Sequence, residues 1–346
     1  MSSKNIEVRI YNPALELQGI IDEFSTLIWI RHYQEPGEFE LRTPYAAESK
    51  TLLVPENIIQ RYDEEEVVDA GVIESLSMTA DEIIVKGRFL ESYLDRRLIK
   101  NTTYYSGNVE DSMRSIISNM VSIPLLELGT DHGLTETLDF QATYKSVLNI
   151  IQKACKATAL GFRIRPDFNA RKMYFEVYKG ADRTAANASR VIFSETYDNL
   201  LNEKYSYDST NYKTKAFATQ VINDVRVAYN VGSGTGLALR EVHVPTNVDT
   251  DGRTSAQIEA SMKRQAQRSL ESHIIAEMFA FATDAEAPFV YRHDYDIGDQ
   301  VYIKHVAWGI DLALRITEIE EDHQAGGREI YLTAGNPLPE VMDFED

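Results

Sequence analysis

Several features that define other protein classes are scarce in this chain of 346 residues. It has one cysteine, Cys155, which excludes an internal disulfide. No run of eighteen apolar residues occurs, which argues against a membrane-spanning helix. The opening residues Met1–Asn5 lack the apolar core of a secretion signal. Acidic residues outnumber basic ones by 54 to 35, and the net charge of −19 argues against a surface that binds nucleic-acid phosphates tightly.

The motifs of common hydrolases are also missing. Seven histidines are scattered singly, without a His-x-His or His-Glu-x-x-His pattern, so a zinc hydrolase is poorly supported. A Gly-x-Ser-x-Gly nucleophile motif is absent as well. We therefore predict that the chain is not an enzyme. We also predict no catalytic, cofactor-binding or metal-binding residues and no cofactor.

Three segments resemble chemical sites but are better explained as structure. Gly232–Gly236 is glycine-rich, yet a phosphate cradle needs a helix after the glycines, and Leu237–Val244 has the pattern of a strand. Asp294–Asp299 resembles the start of a calcium loop, but the twelfth position is His305 rather than an acid. Cys155 lies on the apolar face of a predicted helix, so we expect a packed core thiol rather than a nucleophile.

Two acidic runs and one basic group remain as candidates. Glu64–Glu66 and Glu320–Asp322 are predicted to lie in solvated hairpin loops, with paired catalytic carboxylates as the alternative. Lys263, Arg264 and Arg268 are predicted to form the solvated face of a helix. The alternative for these three bases is pairing with an acidic neighbouring subunit.

The most informative positive feature is an internal repeat of a three-stranded β-unit. The first copy comprises a strand through Ile59, a second through Ile73 and a third that ends at Gly87; the second copy runs through Val301 and Ile316 to Gly335. The extra length of the second copy is assigned to a polar hairpin loop, Glu320–Glu329, because hairpin tips tolerate insertions. The repeat predicts two related β-barrels.

Helical patterns appear in three places between these copies. Asn108 is a good N-cap for one helix that ends by Pro124, and a second helix is predicted from Thr143 to about Ala159. Thr254 and Gln257 form a possible capping box for a long later helix. The predicted fold class is mixed β and α+β, with two related β-barrels and two α+β modules. The predicted domains are a first β-barrel at 1–100, an α+β module at 101–190, a second β-barrel at 191–244 and 286–346, and a helical insertion module at 245–285.

The order of these pieces resembles the tail-hub proteins of long-tailed phages of Gram-positive hosts, in which the hub often forms the N-terminal part of a tail-associated lysin. Essentially the whole chain takes part in this resemblance. The motifs that carry it are Ile28–Tyr33 with Gly37–Leu41, Lys179–Thr184 with Val191–Ser194, Asn199, Leu200 and Tyr205, and Tyr295–Val301.

The resemblance implies a phage tail-hub architecture and a structural role in the tail tip or baseplate. It implies a homotrimer whose six barrels form a ring that joins the sixfold tail tube to distal tip components and lets DNA pass without specific binding. Implied partners are the distal tail protein, tail tube proteins, the tape measure protein and receptor-binding or tip proteins, with no membrane insertion. The expected location is the virion tail tip, and the host cytoplasm during assembly. A tail-associated cell-wall hydrolase or a cell-surface binding protein is the alternative, and the net charge suggests a ring lumen that is acidic or neutral.

Overall fold

The computed structural model describes residues 6–62, 69–120, 122–185, 189–283, 287–324 and 327–336. The chain divides into two compact units. Unit 1 comprises Met1–Lys204 and Phe279–Ala334, and unit 2 comprises Tyr205–Met278 and Gly335–Asp346. The four-domain division predicted from the sequence stays a prediction.

Strands dominate the described residues. The strands of the first hundred residues are β1 (Glu7–Tyr11), β2 (Leu17–Ile21), β3 (Thr26–His32), β4 (Glu38–Pro44), β5 (Ile58–Tyr62), β6 (Gly71–Met78), β7 (Glu82–Phe89) and β8 (Leu98–Ile99). Those that follow, up to the middle of the chain, are β9 (Thr103–Tyr105), β10 (Leu126–Leu128), β11 (Phe140–Ala142), β12 (Lys145–Ser146), β13 (Gly161–Asp167) and β14 (Lys172–Tyr178). The remaining strands are β15 (Ile192–Ser194), β16 (Leu201–Asp208), β17 (Lys215–Ile222), β18 (Val225–Gly232), β19 (Glu241–Pro245), β20 (Ala276–Thr283), β21 (Gln300–His305), β22 (Ile310–Gln324) and β23 (Gly327–Gly335).

Helices are fewer than strands. The α-helices are α1 (Ala47–Leu52), α2 (Val109–Met120), α3 (Val147–Thr158) and α4 (Ser255–Ser272). Short 3₁₀ helices lie at Leu90–Arg96, Glu195–Tyr197 and Gly236–Ala238.

The first strand array has the order β3-β4-β7-β6-β5-β1-β2, and each strand in it pairs antiparallel with its neighbours. Alternate side chains of these strands point to one shared core, because successive residues of a strand face opposite sides. Trp29, Leu41 and Ile59 are fully buried in that core, and the ring of Trp29 lies 4.5 Å from that of Phe89. The alternating pattern read from the sequence is therefore confirmed for these strands.

An α+β segment follows the first array. Helices α2 and α3 pack against the three strands β10-β14-β13, where β13 and β14 are antiparallel. Helix α3 begins at Val147 rather than at the predicted Thr143, because Lys145 and Ser146 pair with β8 and the Ser146 hydroxyl caps the helix. The helix ends where Ala159 adopts a left-handed conformation with φ of 54°.

A second strand array has the order β16-β20-β23-β22-β21-β15, the same order as β3-β4-β7-β6-β5-β1 in the first. The hairpin registers also correspond: Ile59 pairs with Gly71 in the first array, as Val301 pairs with Leu314 in the second. The next pairs, Ile73 with Gly87 and Ile316 with Ala334, are each followed directly by a one-residue bulge.

The correspondence is limited to strand order and register. Strand β1 pairs antiparallel with β5, whereas β15 pairs parallel with β21. In the described residues the sheet is an open path with β16 and β2 at its ends, so the pairing does not show two closed barrels. The mixed β and α+β composition predicted from the sequence is confirmed.

The polar loop predicted at Glu320–Glu329 is wrong. Strand β22 continues through Gln324 and β23 begins at Gly327, so most of the extra length forms β-ladder. The same segment also pairs with β3 from Glu318 to Gln324, which joins the two arrays into one sheet. The acidic run at 64–66 lies outside the described residues.

Unit 2 contains the three-stranded sheet β18-β17-β19, with α4 packed on one face. Ile258, Met262 and Ala266 of the helix are buried against Ala216 and Ala218 of β17. The predicted capping box is confirmed, because the Thr254 hydroxyl accepts from the Gln257 amide while the Gln257 side chain accepts from the Thr254 amide.

Candidate functional site

The acidic strand β22 carries two different rows of side chains where it joins the two arrays. Glu318, Glu320 and Asp322 lie on one face, and Glu321 and His323 lie on the other. We call the first row the acidic stripe, and the buried group around Glu321 the charge cluster. Both belong to unit 1.

The charge cluster is centred on Glu321, which is fully buried. Its carboxylate accepts a hydrogen bond from the Arg61 guanidinium and lies 2.6 Å from Arg328 and 3.6 Å from Arg292. Its other contact is Nε2 of the buried His323, at 3.5 Å. Burial alone would raise the pKa of Glu321, but Arg61, Arg328 and Arg292 outweigh it and hold the pKa well below its usual value.

A second buried arginine extends this network along β3. Arg31 Nε lies 2.7 Å from Asp69 Oδ2, and its Nη1 lies 2.5 Å from Asp296 Oδ1. Arg31 also donates to the Tyr291 hydroxyl at 2.8 Å, and the Trp29 indole donates to Asp69 at 2.9 Å. These bonds connect β3 with the turn that precedes β21. The network contains no nucleophile held by a base, so its chemistry is that of structural ion pairing.

The acidic stripe lies on the opposite face of β22, and few cations neutralise its negative charges. Glu318 contacts His32 Nδ1 at 3.4 Å, but among the described residues no cation pairs with Glu320. Partial burial and the charges of Glu318 and Asp322 raise the pKa of Glu320. On the same face of β4, by contrast, Glu40 lies 2.6 Å from Arg42 and 2.5 Å from Lys86. Negative charge therefore concentrates along β22.

The other sequence candidates do not converge on this site or on one another. Cys155 is buried in the α+β core, where burial raises the pKa of its thiol. Gly232 ends β18, and Gly236 begins a single 3₁₀ turn that leads to β19. The glycines are therefore not followed by the α-helix that a phosphate-binding loop requires. On α4, Lys263 pairs with Glu259 at 2.6 Å, and Arg264 and Arg268 are exposed.

The acids of the calcium-like segment are held by separate partners. Asp294 accepts from the Val290 amide at 2.7 Å, and Asp296 pairs with Arg31. Asp299 lies 3.1 Å from Arg183. Within the described parts of the chain, no three acids, histidines or cysteines are grouped so as to hold a metal ion.

One cavity of about 330 Å³ is lined by Arg9, Tyr62, Arg165, Phe168 and Tyr174, among others. Two of the aromatic contacts in it are already made within the chain. Tyr11 stacks on Phe168 with ring centroids 3.8 Å apart, and the Arg9 guanidinium lies 3.4 Å from the centre of the Tyr62 ring. These contacts reduce the aromatic surface that is left for a sugar ring to stack on.

Sequence reasoning placed Glu321 in a solvated hairpin loop and did not single out Arg31 or Arg61 as ion-pair partners. The signal that could have found them is that each charged residue takes a position in its strand whose side chain faces the core. The ion partners are about 260 residues apart in sequence, as for Arg61 and Glu321, so no local spacing connects them.

Comparison with known proteins shows the family of this chain. A family model described as "Siphovirus ReqiPepy6 Gp37-like protein" matches residues 7–336. The chain belongs to this Gp37-like family. A comparison with curated proteins finds no match.

Solved structures show the same fold over nearly the full length of the Gp37-like chain. The tail protein from Neisseria meningitidis MC58 aligns with a TM-score of 0.62 at 13% identity, covering 96% of this chain and 97% of that one. The 43 kDa tail protein of prophage MuSo2 from Shewanella oneidensis gives 0.60 at 14% identity, with 96% and 98% covered. Prophage tail protein gp18 from Listeria monocytogenes EGD-e gives 0.57 at 14% identity, with 97% and 96% covered. At such identities the likeness concerns the fold.

The Gp37-like chain thus shares its fold with three phage or bacterial tail proteins. None of its described helices has the length and apolar character needed to cross a bilayer.

Proposed function

We propose that this chain is the structural hub of a phage tail tip or baseplate, assembled as a homotrimeric ring. The observation that carries the proposal is the repeated strand order and register of the two arrays. These arrays correspond to the two related β-barrels of the hub scheme. Three chains would then supply six similar units, which match a sixfold tail tube as a dimer cannot.

The family membership and the fold support a place in the virion tail. Within the proposal, the ring contacts the tail tube and distal tail proteins on one side and the tape measure and receptor-binding or tip proteins elsewhere. It assembles in the host cytoplasm, and the host is Gram-positive. The chain acts without enzymatic chemistry, and the charge cluster holds the two arrays in one rigid sheet.

The acidic stripe is the surface that best suits the DNA channel. DNA is a dense polyanion, and a wall rich in lysine or arginine would retain it by counterion release. Glu318, Glu320 and Asp322 repel phosphates instead, and the pKa of Glu320 is raised by partial burial and then by these neighbouring negative charges. A channel lined by this stripe would let DNA pass without a bound state.

Light scattering and low-resolution imaging across a salt series test the trimer. With a net charge of −19 on each chain, self-repulsion favours the monomer at low salt, and we expect trimeric rings with a central hole as salt increases. A stable dimer at every salt concentration would refute the ring.

Two further assays test the role of the ring. Duplex DNA should not bind the assembled trimer at about physiological salt, and Glu320→Lys should slow DNA release from reconstituted particles. Glu48→Lys, at an exposed acid on α1, is the matched control and should have no effect. Digestion of purified cell wall by the isolated chain would favour the tail-associated hydrolase instead.

A further inference from the structure

Strand β18 forms one edge of the sheet in unit 2 and has few of the features that protect sheet edges. It pairs with β17 over eight consecutive residue pairs without a bulge. It contains no proline, and its only charged residue is Arg226. The opposite edge, β19, ends in Pro245, which lacks an amide hydrogen. Long regular edges without lysine, proline or bulges are templates for pairing with another strand.

Within the described part of the chain, the backbone of β18 offers a defined set of hydrogen-bonding groups that do not pair with another strand. Asn223 and Asp224 connect β17 to β18 with φ values of 48° and 63°, as in a two-residue type I′ turn. Such a turn makes Ile222 and Val225 a hydrogen-bonded pair, and hydrogen-bonded pairs then alternate along the ladder. The amide and carbonyl groups of Arg226, Ala228 and Asn230 consequently point away from β17, and all three residues are exposed.

We propose that β18 pairs antiparallel with β18 of a second copy of this chain, about a twofold axis at Ala228. In this register Ala228 faces its own equivalent, and Arg226 faces Asn230 of the second copy. Each of the three outward residues then exchanges two main-chain bonds, about six in all. Pairing of this kind forms one six-stranded sheet across the two copies.

The side chains fit this register on both faces. Arg226 opposes an amide rather than a second arginine, and the two arginines are separated by about 13 Å along the strand. On the α4 face Val227 opposes Tyr229 of the second copy, an aromatic–β-branched pair of the type that stabilises sheets. Val225, which is 62% exposed in the single chain, opposes Val231. The strand is thus complementary to itself.

The pairing is independent of the threefold ring and goes beyond it. Twofold contacts are isologous, whereas ring contacts join different surfaces of neighbouring chains. Twofold pairing alone gives a dimer, and pairing combined with the ring gives a hexamer of two rings. The two proposals can therefore fail separately.

Cysteine crosslinking of the full-length chain tests the register. Residues in a hydrogen-bonded antiparallel pair have Cα atoms about 5.5 Å apart, within the range of a disulfide. Ala228→Cys should therefore give a covalent dimer on mild oxidation, seen on a non-reducing gel. Glu241→Cys, at an exposed position on the β19 edge, is the control and should stay monomeric on that gel. Equal crosslinking of the two variants, or none at Ala228→Cys, would overturn the proposal.

A charge at the twofold axis provides the second test. Ala228→Glu places two carboxylates directly opposite each other, whereas Ala228→Gln has nearly the same size without charge. At high salt, sedimentation should show dimers or hexamers for the unmodified chain and for the Ala228→Gln variant. For the Ala228→Glu variant, the dissociation constant of the twofold contact should be at least about tenfold higher than for the unmodified chain. At the high salt that favours the ring, trimers alone would overturn the edge pairing and keep the ring. Dimers alone would keep the edge pairing and overturn the ring. Monomers at protein concentrations up to hundreds of micromolar at this salt would overturn both.

Discussion

Glu321→Gln tests whether the charge cluster stabilises the seam between the two arrays. The substitution keeps the shape of the side chain and removes the charge that neutralises Arg61, whose side chain is 2% exposed. Removing one partner of a buried ion pair typically costs about 3–5 kcal/mol, because the remaining charge stays desolvated. For a unit of this size, at about 2–4 °C per kcal/mol, that corresponds to a fall in melting temperature of roughly 6–20 °C.

The pH dependence gives an independent check with a definite sign. Because the folded pKa of Glu321 is depressed, its stabilisation is present above the unfolded value of about 4.3 and is lost as the pH falls through the folded pKa. The difference between the wild type and Glu321→Gln should therefore be largest near neutral pH and should shrink in acid. Thermal unfolding followed by the fluorescence of Trp29, which is buried in the first array, measures both quantities.

The neighbouring residue on the same strand supplies the control. Glu320 lies on the opposite face, where partial burial and then the nearby acids raise its pKa, so Glu320→Gln relieves both the desolvation of a charge and the repulsion. Its melting temperature should equal or slightly exceed that of the wild type. If the free energy of unfolding of Glu321→Gln lies within about 1 kcal/mol of the wild-type value, the charge cluster does not stabilise the pairing between the two arrays.

Three further predictions concern single residues. Burial raises the pKa of Glu91 to about 7, so its contribution to stability is full below about pH 4.3 and is lost as the pH rises to about 7; Glu91→Gln should remove this dependence and be more stable than the wild type at pH 8 in denaturant titrations. Gly180→Ala should cost several kcal/mol or abolish soluble expression, since a Cβ there would lie 1.8 Å from the Gly298 carbonyl oxygen. Cys155 should react with a thiol reagent only after unfolding, because it is buried and its pKa is raised.

Local patterns in the sequence were sufficient for much of the fold. Alternation predicted β3 and β4, and a capping box placed the start of α4. These features depend on neighbours within a few residues, which a sequence shows directly. The start of α3 was misplaced by four residues because strand pairing of Lys145 with β8, a tertiary contact, takes precedence over helical propensity.

The candidate site was harder to predict, because an acidic run that lies in a strand has the same sequence pattern as an acidic run in a solvated loop. An acidic run is normally exposed, and only a distant compensating cation allows one of its members to be buried. The arginines that compensate Glu321 lie on β5, on β23 and just before β21. The edge at β18 was equally hidden, because whether a strand lies at an edge depends on the order of the whole sheet.

The bulge on β22 explains why Glu321, and not its neighbours, faces inward. Ile316 and Ile319 are both buried although they are three residues apart, because the bulge between Ile316 and Glu318 inserts one extra residue, Thr317. A regular strand that kept Thr317 would turn Glu320 inward and Glu321 outward, which would place an uncompensated carboxylate in the core and leave Arg61 unpaired. Deletion of Thr317, by contrast, leaves Ile316 and Ile319 two residues apart, so the ladder becomes regular and Glu321 still faces inward. We therefore expect the deletion variant to fold with the charge cluster intact and, like Thr317→Ala, to have a melting temperature within a few degrees of the wild type. An insoluble deletion variant, or one without the native near-ultraviolet circular dichroism spectrum, would show that the bulge does more than accommodate one extra residue in this strand.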